Sequence, residues 1–591
     1  MSTSESPVLQ GFIHALEQGR YRVIVQWALV VVIAVVLGLS YLGLIAFLPW
    51  QFRGFASAEA IDQAQVAREL ARGHGFSTLN IRPLAVAQLE QGGLLPAPGQ
   101  AFPDTFNAPL GPAVNSVLLR GIASKAAKTT YAPGEFVHPA ERAIAALSMV
   151  FFIVAVLLQY RLARRLFDGR LALLAAGLLL VCDLPWQFAA AGLPQNLLLL
   201  IFSVALLALA RAVEARRAGA PGTALLWLAL VGVLLGALVL GHGVAVGIFL
   251  GALAFSTIYF RPRLLAILAL TVPFLLVVSP WLARNYRVSK NPFGIAGYAL
   301  YEGVSSTTAH RMRAFETSVR NTPPLFFRGK VQSGVAAQLQ DPSRFLGAGL
   351  LTVAFFVGLL YPFRRPETDV FRWAVLTMWL GLVASTAVLG INQPEEWPVA
   401  PGNLHVLFLP VVLAFGLALV LVLFSRLAIG TVPLWRTAFF TGLFIFIAMP
   451  MVNTLMTKTS VVQFPPYFPA AIARLNVWTN PNEVIGSDMP WAVGWYADRH
   501  SVWLPLKMKE LVDLGDQNKL PGPLAGVFLS PVSRNVPFYT DLLRGDYQDW
   551  TELIFGSTTL RDFPFREAVP VGDPSMTFYS DVKRWEIGPP R

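Results

Sequence analysis

Apolar residues fall along this chain in runs of about twenty, broken by short connections that carry most of the charge. At 1.5 Å of rise per residue, about twenty residues cross ~30 Å of hydrocarbon, so each run predicts a spanning helix. About eleven are expected, near 23–48, 141–163, 170–185, 193–214, 223–241, 242–260, 264–283, 345–363, 371–391, 401–425 and 433–456. Three long polar stretches interrupt the pattern, at 51–140, 284–344 and 457–591. The last alternates strand-like runs ("EVIGSD", "SVWLP", "AGVFLS") with helix-like ones ("PAAIARLNVW", "KMKELVDLGD"), which predicts a small α/β unit. The expected architecture is a polytopic α-helical membrane protein: a transmembrane domain over 1–456, then a C-terminal extracytoplasmic α/β domain over 457–591.

Charge sets the expected orientation. Arg161, Arg164, Arg165 and Arg170, then Arg211, Arg216 and Arg217, then Arg261 and Arg263, then Arg364, Arg365 and Arg372 mark one set of short connections. The alternate connections, 183–196, 241–243 and 392–403, carry no Lys or Arg, so the basic set is read as cytoplasmic. Arg20 and Arg22 place the N-terminus inside, and an odd span count places the C-terminal segment outside. The first apolar run is too long for a signal-peptide core and is read as a retained anchor in the plasma (inner) membrane. All three long polar stretches then lie on the extracytoplasmic side.

Composition removes several classes of function. With 55% hydrophobic and 14% charged residues, the net charge of +12 sits largely in loops beside lipid headgroups, and no nucleic-acid partner is expected. The single cysteine, Cys182, excludes an internal disulfide and a cysteine metal cluster. Glu395, Glu396 and the scattered histidines lack metal-ligand spacing, so neither metal nor cofactor is expected. The inner loops are too short to hold a nucleotide-sugar domain.

The stretch "FASAEAIDQAQVARELARGHGFST", residues 55–78, predicts a short helix where the chain leaves the first span. Ser57 is placed to cap its N-terminus, Glu59 suits the positive end of the helix dipole, and Gly73 suits the stop. Glu59, Asp62, Val66 and Glu69 share one face, and Ala60, Ala64, Ala67 and Ala71 make a small-residue face. Such a helix is expected to lie flat on the outer membrane surface, its carboxylates near the headgroup plane. In the C-terminal segment, "SDMPWAVGWYADRHSVWLP" reads either as a ligand loop displaying Asp488, Trp491, Trp495, Tyr496 and Arg499, or as the core of a strand-to-helix junction. His242 either caps a tight turn or serves a ligand.

Taken in order, these stretches resemble the GT-C membrane glycosyltransferases, and within them the branch of protein O-mannosyltransferases and lipid A aminoarabinose transferases. "EAIDQAQVARELARGHGFST" is similar to that family's acidic residue followed by an amphipathic helix, and "FNAPLGPAVNSVLL" at 106–119 to its stretch before a horizontal helix. "VSPWLARNYRVSKNPF" at 278–293 is similar to its signature at an emerging span, and "GNLHVLFLPVVLAFGLAL" at 402–419 to a late span. Gln195, in "GLPQN", stands where many relatives place a further acid, and His405 where they place a basic residue.

The resemblance implies transfer of a sugar from a polyprenyl-phosphate carrier to a protein, lipid or glycan acceptor outside the membrane. That chemistry needs a carboxylate to take the acceptor's proton, for which Glu59 and Asp62 are the candidates. It also needs fixed positive charge on the departing phosphate, for which Arg284, Arg287, Lys290 and His405 are the candidates. The residues alone leave two other readings open: Arg284 and Arg287 as headgroup anchors beside Trp281 and Tyr286, and the whole chain as a lipid transporter or an inactive lipid-binding relative.

Overall fold

The computed structural model describes residues 52, 54–55, 57–126, 138–301, 311–317, 324–363, 365–390, 399–426, 433–456, 468–534, 547–556 and 563–586. The expected first span, 23–48, lies outside the described residues.

Each of the other ten apolar runs is helical. Among the described residues, three helices precede them: α1 (Ala58–Arg72), α2 (Pro83–Gln91) and α3 (Leu110–Ala126). The apolar helices are α4 (Pro139–Leu166), α5 (Gly169–Val181), α6 (Asp183–Ala191), α7 (Gln195–Arg217), α8 (Pro221–Gly241), α9 (Val246–Tyr259) and α10 (Arg263–Ser289). After α11 (Pro324–Gln340) and α12 (Pro342–Leu346) come α13 (Leu350–Leu360), α14 (Pro366–Leu389), α15 (Leu409–Arg426) and α16 (Pro433–Met456). Among the described residues, six helices are long and apolar enough to cross a membrane, or seven when α5 and α6, bent by 45° at Cys182, count as one span. The remaining described runs form shorter apolar helices, such as the 11 residues of α13. The chain is an integral membrane protein whose large side chains, such as Leu226, Ile258, Leu276 and Leu360, remain exposed on the helix exteriors, as lipid contact requires.

At the end of the bundle that bears the long polar segments, a six-stranded sheet runs β1-β3-β2-β4-β6-β5. Its strands are β1 (Asn80–Ile81), β2 (Val484–Ser487), β3 (His500–Trp503), β4 (Leu524–Leu529), β5 (Glu567–Val571) and β6 (Asp573–Ser580), with α17 (Pro469–Trp478) and α18 (Met508–Asp516) between them. The first four pair in parallel and the last two antiparallel. Those read from the sequence of the last segment form as expected. The edge strand β1, however, comes from the first polar stretch, with Asn80 opposite Ser501 and Ile81 opposite Val502.

The core under this sheet is shared in the same way: Ile81, Leu84, Val86, Leu89 and Phe102 of the first stretch and Ile295 and Met312 of the second pack with Val502, Leu504, Val527 and Tyr579. The C-terminal segment is therefore completed by the two polar stretches before it. Asp488, Trp491, Trp495, Tyr496 and Arg499 are all buried, so the junction-core reading of their stretch holds and the displayed-loop reading does not. Asp488 follows β2 and accepts hydrogen bonds from Ser530 N and Oγ and from Ser533 N, which ties the ends of β2 and β4.

Candidate active site at the first polar helix

Helix α1 begins and ends as its sequence predicts. The Ser57 side chain accepts from Ala60 N, and Gly73 takes the left-handed conformation (φ 88°) that closes the last turn onto Glu69 and Leu70. Its setting differs from expectation. Residues Ala60 to Glu69 are buried without a break, packed against α3 and the 490–497 turn of the C-terminal segment. The helix is thus an interior element rather than one lying on a membrane surface. Its small face explains this, because Ala60, Ala64 and Ala67 carry no bulk to hold neighbouring backbones apart.

The two predicted acids have different surroundings. Asp62 is 1% exposed and ringed by donors. Oδ2 accepts from Arg82 at 2.7 Å and Asn107 Nδ2 at 2.8 Å, and Oδ1 accepts from Asn80 Nδ2 at 2.9 Å and Gln65 Nε2 at 3.3 Å. The Arg82 guanidinium lies 3.9 Å from the Phe106 ring centre, which fixes it from the other side. Asn107 also donates to Asp104 at 2.7 Å, and Asp104 accepts from the backbone of Phe106 and Asn107, forming a tight turn. Four donors on two carboxylate oxygens come close to filling the lone pairs of Asp62.

Glu59, one turn earlier, is half-buried, and among the described residues no group donates a hydrogen bond to its carboxylate. Burial first, then the charge of Asp62, pushes its carboxyl up to about 7, against a smaller pull from Arg82. A carboxylate with a pKa near neutrality and free lone pairs is suited to take a proton; one saturated by donors is suited to hold its neighbours in place.

Of the four predicted phosphate ligands, the structure ties Arg284 to this site through Asp104 and places His405 elsewhere. Arg284 emerges from α10 and donates to the carbonyls of Asp104 and Phe76, the latter at 2.8 Å, and to Asn285 Oδ1 at 2.9 Å. It also lies 4.9 Å from the Trp281 ring centre. It thereby clamps the two segments, 76–78 and 102–104, that lead to Asn80 and Asn107. Arg287, on the last turn of α10, and Lys290, just past its end, are exposed. His405 is buried in a different neighbourhood, bonded to Gln338 of α11 at 2.9 Å and flanked by Phe345 and Trp379. Gln195 spends its amide on the Pro401 carbonyl at 2.7 Å, joining α7 to the segment before His405. His242 ends α8, with its Nδ1 buried and without a hydrogen-bond partner. Among the described residues, no three His, Cys, Asp or Glu side chains converge as a metal site.

Asn80, Arg82, Asp104 and Asn107 went unnoticed in the sequence. Each is a common polar residue in a polar stretch, and only the return of the chain past α1 brings them together.

No protein-family profile and no curated protein matches the chain. Solved structures do. The oligosaccharyltransferase of Archaeoglobus fulgidus, in complex with zinc and sulfate, superposes with a TM-score of 0.52 at 14% identity, over 94% of this chain and 73% of its own. The same protein, AglB, in complex with an inhibitory peptide and a dolichol-phosphate gives 0.51 at 13% identity, over 96% and 75%. ArnT from Cupriavidus metallidurans gives 0.50 at 15% identity, over 95% of this chain and 99% of its own. Both are GT-C proteins, and the likeness at this identity is one of fold.

Proposed function

We propose that this chain, which has the GT-C fold, is a membrane glycosyltransferase that moves a sugar from a polyprenyl-phosphate-linked donor to an acceptor on the extracytoplasmic side. The observation that carries this reading is the division of labour on α1: a saturated Asp62 as anchor, and one turn away a Glu59 raised to about 7, to which none of the described residues donates. AglB has been solved with a dolichol-phosphate, which supports a lipid-linked donor for the shared fold.

In this scheme Glu59 accepts the proton of the acceptor hydroxyl or amide as the acceptor atom bonds to the sugar's anomeric carbon. The bond from that carbon to the phosphate oxygen breaks, and the electron pair leaves on the polyprenyl phosphate. Positive charge at the end of α10 stabilises that leaving group. Arg287 and Lys290 offer exposed cations there, and Arg284 contributes through the part of its guanidinium not bound to Asp104 and Phe76. His405 is assigned a more distant role, holding α11 against the late spans.

Native mass spectrometry of the gently solubilised protein tests the donor. A co-purifying polyprenyl-phosphate species, lost in Arg287→Ala/Lys290→Ala, is the expected result; ordinary phospholipids alone would count against the scheme. Transfer is also expected to rise with pH through about 7, because Glu59 acts in its ionised form and is protonated below that value. A rate profile flat from pH 5.5 to 8 would remove Glu59 as base. Activity is expected to survive a chelator; loss in chelator and recovery with a divalent ion would require a metal.

A further inference from the structure

We infer that Glu141 is a positioning residue for Glu59: it pins the chain just before α1 to the C-terminal segment, making that segment a structural part of the active site. The inference rests on the reading of Glu59 above. Glu141 stands in the first turn of α4, 0% exposed, and both of its oxygens are used. Oε2 accepts from the Phe55 backbone N–H at 3.0 Å, and Oε1 accepts from the Trp495 indole N–H at 2.7 Å. One carboxylate therefore joins the bundle, the lead-in to α1 and the C-terminal segment.

The lead-in is shaped to fit this joint. Gly54 has φ +101°, and a Cβ there would lie 2.5 Å from Glu141 Oε2. The Phe55 ring rests on Gly192 at the end of α6, where a Cβ would lie 2.3 Å from it. Phe55 is thus held by its backbone and its ring, two residues before the Ser57 cap and four before Glu59.

Trp495 is itself fixed to α1. Arg68 donates to the carbonyls of Trp495 at 2.7 Å and Gly494 at 2.6 Å, and its guanidinium lies 4.7 Å from the Trp495 ring centre. Asp498 pairs with Arg68 at 3.0 Å and with Arg72 at 2.8 Å. The C-terminal segment therefore grips α1 from Arg68 to Arg72, while Trp495 reaches across to the carboxylate that holds its start. With both ends fixed, Glu59 has little freedom to swing toward solvent.

The test uses the full chain in lipid nanodiscs, with Trp495→Phe and Glu141→Gln each removing one arm of the joint. Hydrogen exchange of the peptide containing Phe55 is expected to speed up at least 10-fold in both variants, with β3 unchanged. The pH at which Glu59 reacts with a water-soluble carbodiimide, read by mass spectrometry, is expected to move by at least one unit. In a transfer assay, kcat falls about 10-fold with KM for the donor unchanged. Unchanged exchange at Phe55, or faster exchange that leaves the Glu59 titration in place, overturns the inference. A Glu59→Gln variant with full transfer activity would overturn the catalytic reading instead, while the exchange and labelling results still decide the joint. Should Glu141→Gln fail to fold, Trp495→Phe carries the test, since it removes the N–H and keeps an aromatic ring.

Discussion

Glu59→Gln is expected to lower the rate of sugar transfer by about 100- to 10,000-fold, the usual range for loss of a positioned general base. The amide is close to isosteric and cannot accept the acceptor's proton at the pH of the assay. Among the described residues no group donates a hydrogen bond to the Glu59 carboxylate, so the substitution breaks no bond on which the fold depends. Donor binding should persist, so native mass spectrometry would show the same lipid in the variant and the wild type. The residual activity should also lose its rise through about pH 7. Wild-type transfer by Glu59→Gln, at equal protein in the membrane, would contradict this assignment.

Asp62→Ala is expected to damage the fold before it damages catalysis. Removing that carboxylate leaves the Arg82 guanidinium buried without its counter-charge, and strips an acceptor from Asn80, Asn107 and Gln65 together. Breaking a buried ion pair from one side costs about 3–5 kcal/mol, a large part of the 5–15 kcal/mol that stabilises a typical domain. The expected signs are a lower melting temperature in detergent and faster exchange at Asn80 and Asn107. Asp62→Asn keeps one acceptor oxygen and should fall between alanine and wild type. A fully stable but inactive Asp62→Ala would exchange the roles assigned to the two acids. The double replacement of Asp62 and Arg82 by apolar residues should be milder in stability than Asp62→Ala alone, since no charge is then left unpaired.

Particular residues show where the sequence was readable. Ser57 and Gly73 marked the ends of α1 because caps are set by neighbours within one turn. The apolar runs described by the structure became helices because a chain in hydrocarbon must satisfy its backbone within each segment. The strands of the last segment followed from short β-rich runs between turns. At the site, the pair Glu59 and Asp62 was visible as two acids on one helix, yet their roles were not. Those roles depend on Asn80, Arg82 and Asn107, which lie well beyond the reach of any helical periodicity. Arg284 was singled out for its place at the end of an apolar run; its hold on Phe76 and Asp104 is a long-range contact that no local pattern encodes.

The sequence alone determined the membrane-embedded helical class, the polar segments set against it, and the helix carrying the two acids. Each of these follows from local hydropathy and backbone hydrogen bonding, which act over one element at a time. Tertiary structure decided that α1 is buried rather than surface-bound, that β1 completes a sheet built mostly by the C-terminal segment, and that Asp62 is saturated with donors while Glu59, among the described residues, receives none. The physical reason is that desolvation and the filling of a carboxylate's lone pairs depend on which distant segments the folded chain brings together, and hydrophobic patterning carries no record of that choice.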